Sequence, residues 1–168
     1  MPGDICAEVI RAERLELLPL DVSHAEEMAK VLGDPALHAF IGGEPESLED
    51  LRARYVRWEA GAPEPGTRWC NWVIRSREEG RLVGTVQATV TGGSAEVAWV
   101  VGTDWQGRGY ASEAARALVG WLREQGVRTV VAHVHPEHAA SAAVARAAGL
   151  VPTGEVHDGE VRWESGGA

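Results

Sequence analysis

The sequence predicts a mixed α+β domain, with a central, mostly antiparallel sheet that contains one parallel strand pair and is flanked by helices. Three observations predict it. First, the strand-like runs 69–76, 82–90 and 95–101 follow one another with Gly80 and Gly92-Gly93 as punctuation, which is the pattern of an antiparallel meander. Second, a helical run from Ala111 to Gln125 separates Ala95–Val101 from the β-branched run Thr129–Val134. A helix joining two strands of one sheet makes them parallel. Third, the stretch between that strand and that helix, Asp104 to Tyr110, is a glycine-bearing turn.

The elements follow in order. Residues 1–12 read as a loose leader and Leu15–Leu20 as a short apolar strand. Ser23-x-x-Glu26 has capping-box spacing and opens a helix that runs through Leu32 and stops at Gly33. Ser47-x-x-Asp50 opens a second helix, with Leu48, Leu51, Tyr55 and Trp58 on one face and an end near Gly61. Pro63 and Pro65 mark a turn before the meander. In the third helix Ala111, Ala114, Ala115, Leu118 and Leu122 recur at helical spacing, and Gly126 closes it. After Thr129–Val134 comes a fourth helix, Ala139–Ala148, ended by Gly149. Val151–Val156 and Glu160–Trp163 close the sheet, and 164–168 read as a short tail. No repeat or linker divides the 168 residues, so one domain over 1–168 is expected.

Composition narrows the function classes. Hydrophobic content of 45% and charged content of 24% are those of a globular chain. No apolar run approaches the ~20 residues of a membrane helix, and acidic residues near the start do not suit a signal peptide. A cytoplasmic protein without a membrane partner is expected. Cys6 and Cys70 have no metal-ligand spacing and are expected to be thiols; no metal site is expected. The net charge of −9 argues against a nucleic-acid partner and is compatible with a cationic substrate, although solubility alone also explains it.

The segment from Trp105 to Ala114, W-Q-G-R-G-Y-A-S-E-A, carries the most information. A strand, a glycine turn and a helix N-terminus leave backbone N–H groups that no helical carbonyl reaches, and the helix dipole favours an anion there. The glycine spacing is neither the dinucleotide fingerprint nor a Walker loop. The hairpin-like strands before it also disfavour a Rossmann unit. The motif resembles the Q/R-x-x-G-x-G/A pyrophosphate loop of the GNAT acetyltransferases, and the longer run resembles their RimJ/RimL-like branch. The order of elements is similar to that family over nearly the whole chain. The segment from His138 to Leu150 resembles its N-x-x-S…G-F segment, with Ser141 and Gly149 in place, His138 for the asparagine and Leu150 for the phenylalanine.

The resemblance implies a GNAT fold, in which Ala95–Val101 and Thr129–Val134 splay apart. It implies acetyl-CoA as co-substrate, with its pyrophosphate on the backbone of Gln106, Gly107, Arg108, Gly109, Tyr110 and Ala111. It places the pantetheine arm in the splay against the main chain of Trp99, Val100 and Val101, with His138 and Ser141 also beside the cofactor. A solvated loop role suits Arg108 equally well. The implied reaction is acetyl transfer to a primary amine by direct attack, the acceptor being a protein N-terminus or a small molecule. An alkylammonium has a pKa near ~10, so its deprotonation at pH 7 costs on the order of 4 kcal/mol without help. Glu96 is the expected base and Ser141 the expected proton donor to the thiolate. Their ordinary roles would be a solvent-facing strand residue and a helix-start residue. His133, His135 and His138 are further candidates for contact or proton transfer. Trp58, Trp69 and Trp72 fall where an acceptor pocket is expected, and Glu44, Glu46 and Glu49 could attract an amine. A non-catalytic acyl-CoA sensor or subunit is the alternative class. A monomer or a homodimer is expected.

Overall fold

The computed structural model describes residues 7–37 and 44–165. Its elements are β1 (Ile10–Arg11), β2 (Leu15–Pro19), α1 (Ala25–Val31), α2 (Leu48–Ala60), β3 (Thr67–Ser76), β4 (Leu82–Thr91), β5 (Ser94–Val101), α3 (Tyr110–Glu124), β6 (Thr129–Val134), α4 (Ala139–Ala147), β7 (Leu150–His157) and β8 (Glu160–Ser165). The strands form one sheet in the order β1-β2-β3-β4-β5-β6-β8-β7. All neighbours are antiparallel except β5 and β6. The mixed sheet with a single parallel pair is therefore as the sequence predicts.

Alternation along the strands assigns the two faces. Trp72 and Ile74 of β3 and Ala95, Val97 and Val101 of β5 join Ala114, Ala115, Leu118 and Leu122 of α3 in the larger core. Val73 of β3 and Leu82 of β4 join Met28 of α1 and Leu51 and Tyr55 of α2 in a smaller one. The helices thus cover the sheet in two layers, α3 and α4 on one face, α1 and α2 on the other. Asp158 and Gly159, with φ of 51° and 81°, make the two-residue turn between β7 and β8.

Three expectations are corrected. Ile10 and Arg11, assigned to the leader, pair with β2, and the carbonyl and carboxylate of Glu8 accept the indole N–H groups of Trp72 and Trp121. Two buried tryptophans need acceptors, and this segment provides them. Glu164 and Ser165, assigned to the tail, lie in β8, where Ser165 Oγ accepts Val130 N–H. The cap before α1 is Asp21: its carboxylate accepts the Ser23 amide, while the His24 ring accepts the Asp21 amide. A short 3-10 turn, Val22–His24, is wound ahead of the helix, which moves the cap two residues upstream of Ser23. Ser47, by contrast, caps α2 as its spacing predicts, accepting Asp50 N–H at 3.1 Å. Residues 1–6, including Cys6, and 166–168 lie outside the described residues.

Candidate active site

The parallel pair is short. β5 and β6 are in register only at Ser94/Thr129, Ala95/Val130 and Glu96/Val131. Beyond that point β5 continues to Val101 without β6, while β6 runs on to Val134 paired with β8. A gap opens between the strands. The Gly102 amide donates to the Val83 carbonyl of the β4 side at 2.9 Å, and the register of β4 with β5 is continuous below it. The antiparallel alternation therefore turns the main-chain groups of Trp99 and Val101 toward the gap and those of Ala98 and Val100 toward β4, while Val97 N–H is taken up by the last bridge to β6 at Glu96/Val131. The side chain of Gln106 donates to the Val101 carbonyl at 2.9 Å and ties the loop to the strand end.

The glycine loop lies beside this gap. Gly107 and Gly109 have φ of 79° and 80°, which only glycine adopts readily. Gly109 is the N-cap of α3 and offers no side chain to the first-turn amides. A Cβ on Gly107 would meet nothing within 4 Å among the described residues, so they leave the loop open on that side. Gln106, Gly107, Arg108, Gly109, Tyr110 and Ala111 are thus contiguous at an uncapped helix start. Arg108 lies over the Trp105 ring at 5.0 Å and 3.8 Å from Glu79, with half its side chain exposed. Tyr110 is buried under the Arg14 guanidinium, 5.0 Å from its ring centroid.

The other face of β5 carries side-chain chemistry. Glu96, Ala98 and Val100 point away from α3, and Ala98 and Val100 line a cavity of about 340 Å³ between the sheet and the helices α1 and α2. Thr85 and Gln87, opposite Val100 and Ala98 on β4, line it too, with Leu51, Arg54, Tyr55 and Trp58 of α2 and Glu44 and Glu46 before it. Tyr55 and Trp58 stack at 5.6 Å, and Arg54 pairs with Glu46 at 2.9 Å. The Tyr55 hydroxyl is buried without a hydrogen-bond partner among the described residues, and burial pushes this phenol up to about 12. Glu96 lies one pleat beyond Ala98, about 7 Å along the strand. Its exposed carboxylate approaches His133 Nδ1 across the strand pair at 3.3 Å, and the His157 ring packs edge-on against His133.

The remaining candidates fall nearby or elsewhere. Ser141, in the first turn of α4, accepts the Trp99 indole N–H at 3.4 Å, which joins the gap strand to that helix. His138 is the N-cap residue of α4; burial, then the neighbouring His135, holds its imidazole below the usual histidine value. His135 accepts the Glu137 amide and shapes the loop after β6. Trp72 is fully buried core against Trp121, so it is not in the cavity. Trp69 borders a second, more open depression, while Trp58 lines the cavity as expected. Sequence reasoning passed over Arg14 and Glu113. Arg14 Nε and N–H both donate to the Glu113 carboxylate, at 2.7 and 2.6 Å. The available signal was a glutamate beside Ala114 and Ala115, on the part of α3 that otherwise turns inward.

Comparison with known proteins agrees with this geometry. A family model described as "Acetyltransferase (GNAT) domain" matches residues 14–151. No curated protein matches the chain. Among solved structures, a GNAT-family acetyltransferase from Bacillus anthracis is 22% identical with a TM-score of 0.75, covering 93% of this chain and 95% of its own. RimL, the ribosomal L7/L12 alpha-N-protein acetyltransferase in complex with coenzyme A, is 20% identical with a TM-score of 0.76, covering 94% and 97%. AAC(6')-Ib in complex with paromomycin and acetyl-CoA is 16% identical with a TM-score of 0.74, covering 91% and 93%. These similarities agree in fold, and the family match spans most of the chain: the protein is a GNAT acetyltransferase.

Proposed function

We propose that the protein transfers an acetyl group from acetyl-CoA to a primary amine by direct attack in a ternary complex. The observation that carries this reading is the juxtaposition at β5. One edge of the strand offers unpaired main chain beside a phosphate-type loop, and its side-chain face offers a carboxylate beside a cavity. The donor set fits acetyl-CoA. Amides at the open, positive-φ loop suit a pyrophosphate, and the main-chain groups of Trp99 and Val101 suit the two amides of a pantetheine arm. When bound, acetyl-CoA supplies a thioester whose carbonyl carbon takes the amine lone pair as the C–S bond breaks.

The residues of the chain perform the rest. Glu96 accepts a proton from the ammonium, directly or through water, and shares it with His133 at 3.3 Å, whence it reaches solvent. A main-chain N–H of the splayed half of β5 faces the carbonyl oxygen where negative charge develops. Ser141, held by Trp99, passes a proton to the leaving thiolate and is reprotonated by the second proton that the nitrogen gives up as the amide forms. The cavity favours a small-molecule amine. It lies at the small end of the usual range for ligand pockets, about 300–1,000 Å³, and is walled by Trp58, Tyr55 and Leu51. An amine group would sit under Trp58, with Glu44 supplying negative charge. The RimJ/RimL-like motif supports a second acceptor class, a protein N-terminus whose first residue enters the same cavity.

The test is calorimetric titration with acetyl-CoA, followed by thiol release with a panel of amines and N-terminal peptides. Binding in about the micromolar range with amine-dependent thiol release is expected. Binding without release from any acceptor would favour a non-catalytic sensor, and absence of binding would remove the acetyl-CoA reading.

A further inference from the structure

The least expected polar contact in the fold lies behind the glycine loop. Glu113 is one of two buried polar or charged side chains among the described residues, and it sits in the first turn of α3. A buried carboxylate needs a cation and hydrogen bonds to be tolerated. Arg14, from the turn between β1 and β2, supplies both. Its backbone N–H and Nε donate to Glu113, and its Nη1 reaches on to donate to the Arg108 carbonyl at 2.8 Å. Its Nη2 lies where it would be 3.2 Å from a Cβ on Gly109, and its plane covers Tyr110. One guanidinium therefore touches three consecutive positions of the loop while a carboxylate from the same helix fixes its rotamer.

The consequence follows from peptide geometry. In a planar trans peptide the C=O and the next N–H point in opposite directions. With the Arg108 carbonyl held toward Arg14, the Gly109 N–H is turned away from Arg14, to the open side of the loop. We infer that Arg14, locked by Glu113, is a positioning residue that aims the loop amides at the pyrophosphate of the donor. This rests on the acetyl-CoA reading above. Arg14 acts here through the backbone and through hydrogen-bond geometry that lysine lacks. Its own charge is committed to Glu113, so it is not offered as a phosphate ligand.

The role is separable from fold maintenance and from simple charge. The experiment measures Kd for acetyl-CoA and for acetyl-pantetheine, which lacks the pyrophosphate, in the unsubstituted protein, R14K and E113Q, with thermal unfolding as a check on folding. E113Q keeps an acceptor for the Arg14 amide, so it should fold. The unsubstituted protein should prefer acetyl-CoA. Both variants should lose affinity for acetyl-CoA by about tenfold while Kd for acetyl-pantetheine moves less than about twofold. E113Q gives the sharper result. Removing a negative charge near the loop would tighten anion binding if charge alone mattered, whereas loss of the Arg14 lock predicts weakening. Unchanged or tighter acetyl-CoA binding in E113Q overturns the assignment, as does equal weakening toward both donors. If the unsubstituted protein itself binds both donors equally, the loop holds no pyrophosphate, and both the cofactor reading and the role of Arg14 fall.

Discussion

On the proposed function, the donor and acceptor halves of this site are made of different material. The donor half is backbone: amides of a glycine loop, an uncapped helix start and the splayed edge of β5. The acceptor half is side chain: Glu96, His133, Trp58, Tyr55, Gln87 and the acidic residues before α2. A backbone site depends on φ and on hydrogen-bond direction, so few substitutions within it are silent. A side-chain site can be rewritten one residue at a time while the strand beneath stays put. One strand serves both, since its edge and its face are independent surfaces.

The comparison predicts effects that divide along the same line. The largest is expected from Glu96→Gln, which should lower kcat by about 10²–10⁴ while leaving Kd for acetyl-CoA within about twofold. Steady-state kinetics beside calorimetry would show it, and an undiminished kcat would move the base elsewhere in the acceptor half. Gly109→Val should do the reverse. It forces a β-branched residue to φ near 80° against Arg14, at a strain of about 1–3 kcal/mol, and donor affinity should fall by about tenfold or more with the acceptor KM unchanged. A parallel rise in acceptor KM would mean that the halves are not independent.

The smaller effects concern stability. The Tyr55 hydroxyl is buried without a partner among the described residues, so Tyr55→Phe should stabilise the fold by about 1 kcal/mol. For a domain of this size that is a rise in Tm of about 2–4 °C, and a fall would show that the hydroxyl has a partner after all. The smallest effect is expected at His138. Its folded pKa lies below the ordinary 6.5, so between the two values the unfolded chain binds more protons than the folded one. Stability contributed by neutral His138 is therefore present above that window and declines as the pH falls through it. His138→Asn should flatten this acid-side loss, measured as Tm against pH, and an unaltered slope would exclude His138 as its source.

Legibility in the sequence divides in the same way. The loop at Gly107 and Gly109 and the strand Thr129–Val134 were readable because short spacing fixes local backbone. Ser47 was readable for the same reason. Arg14 with Glu113 was not, because the partners are 99 positions apart and only the closed sheet brings them together. Nor was the sorting of the tryptophans. Trp58, Trp69 and Trp72 look alike in sequence, yet strand alternation sends Trp72 into the core facing α3, and the helix phase of α2 sends Trp58 to the cavity. Ile10 and Ser165 were misassigned because a two-residue strand and the last residues of a strand carry almost no periodic signal of their own.

The three-pair bridge between β5 and β6 also bears on how the chain folds and breathes. Within the sheet β1 pairs with β2, and β3 with β4 and β5, across short turns, whereas β2 reaches β3 only around α1 and α2, and β5 reaches β6 only once α3 has formed and docked. The sheet is thus two cooperative units sewn together by few stitches, and the seam should open before either unit unfolds. In hydrogen exchange the amides of Trp99 and Val101 should trade with solvent faster than those of Ala98 and Val100 on the same strand. A donor lying along the seam would act as the missing strand and slow them.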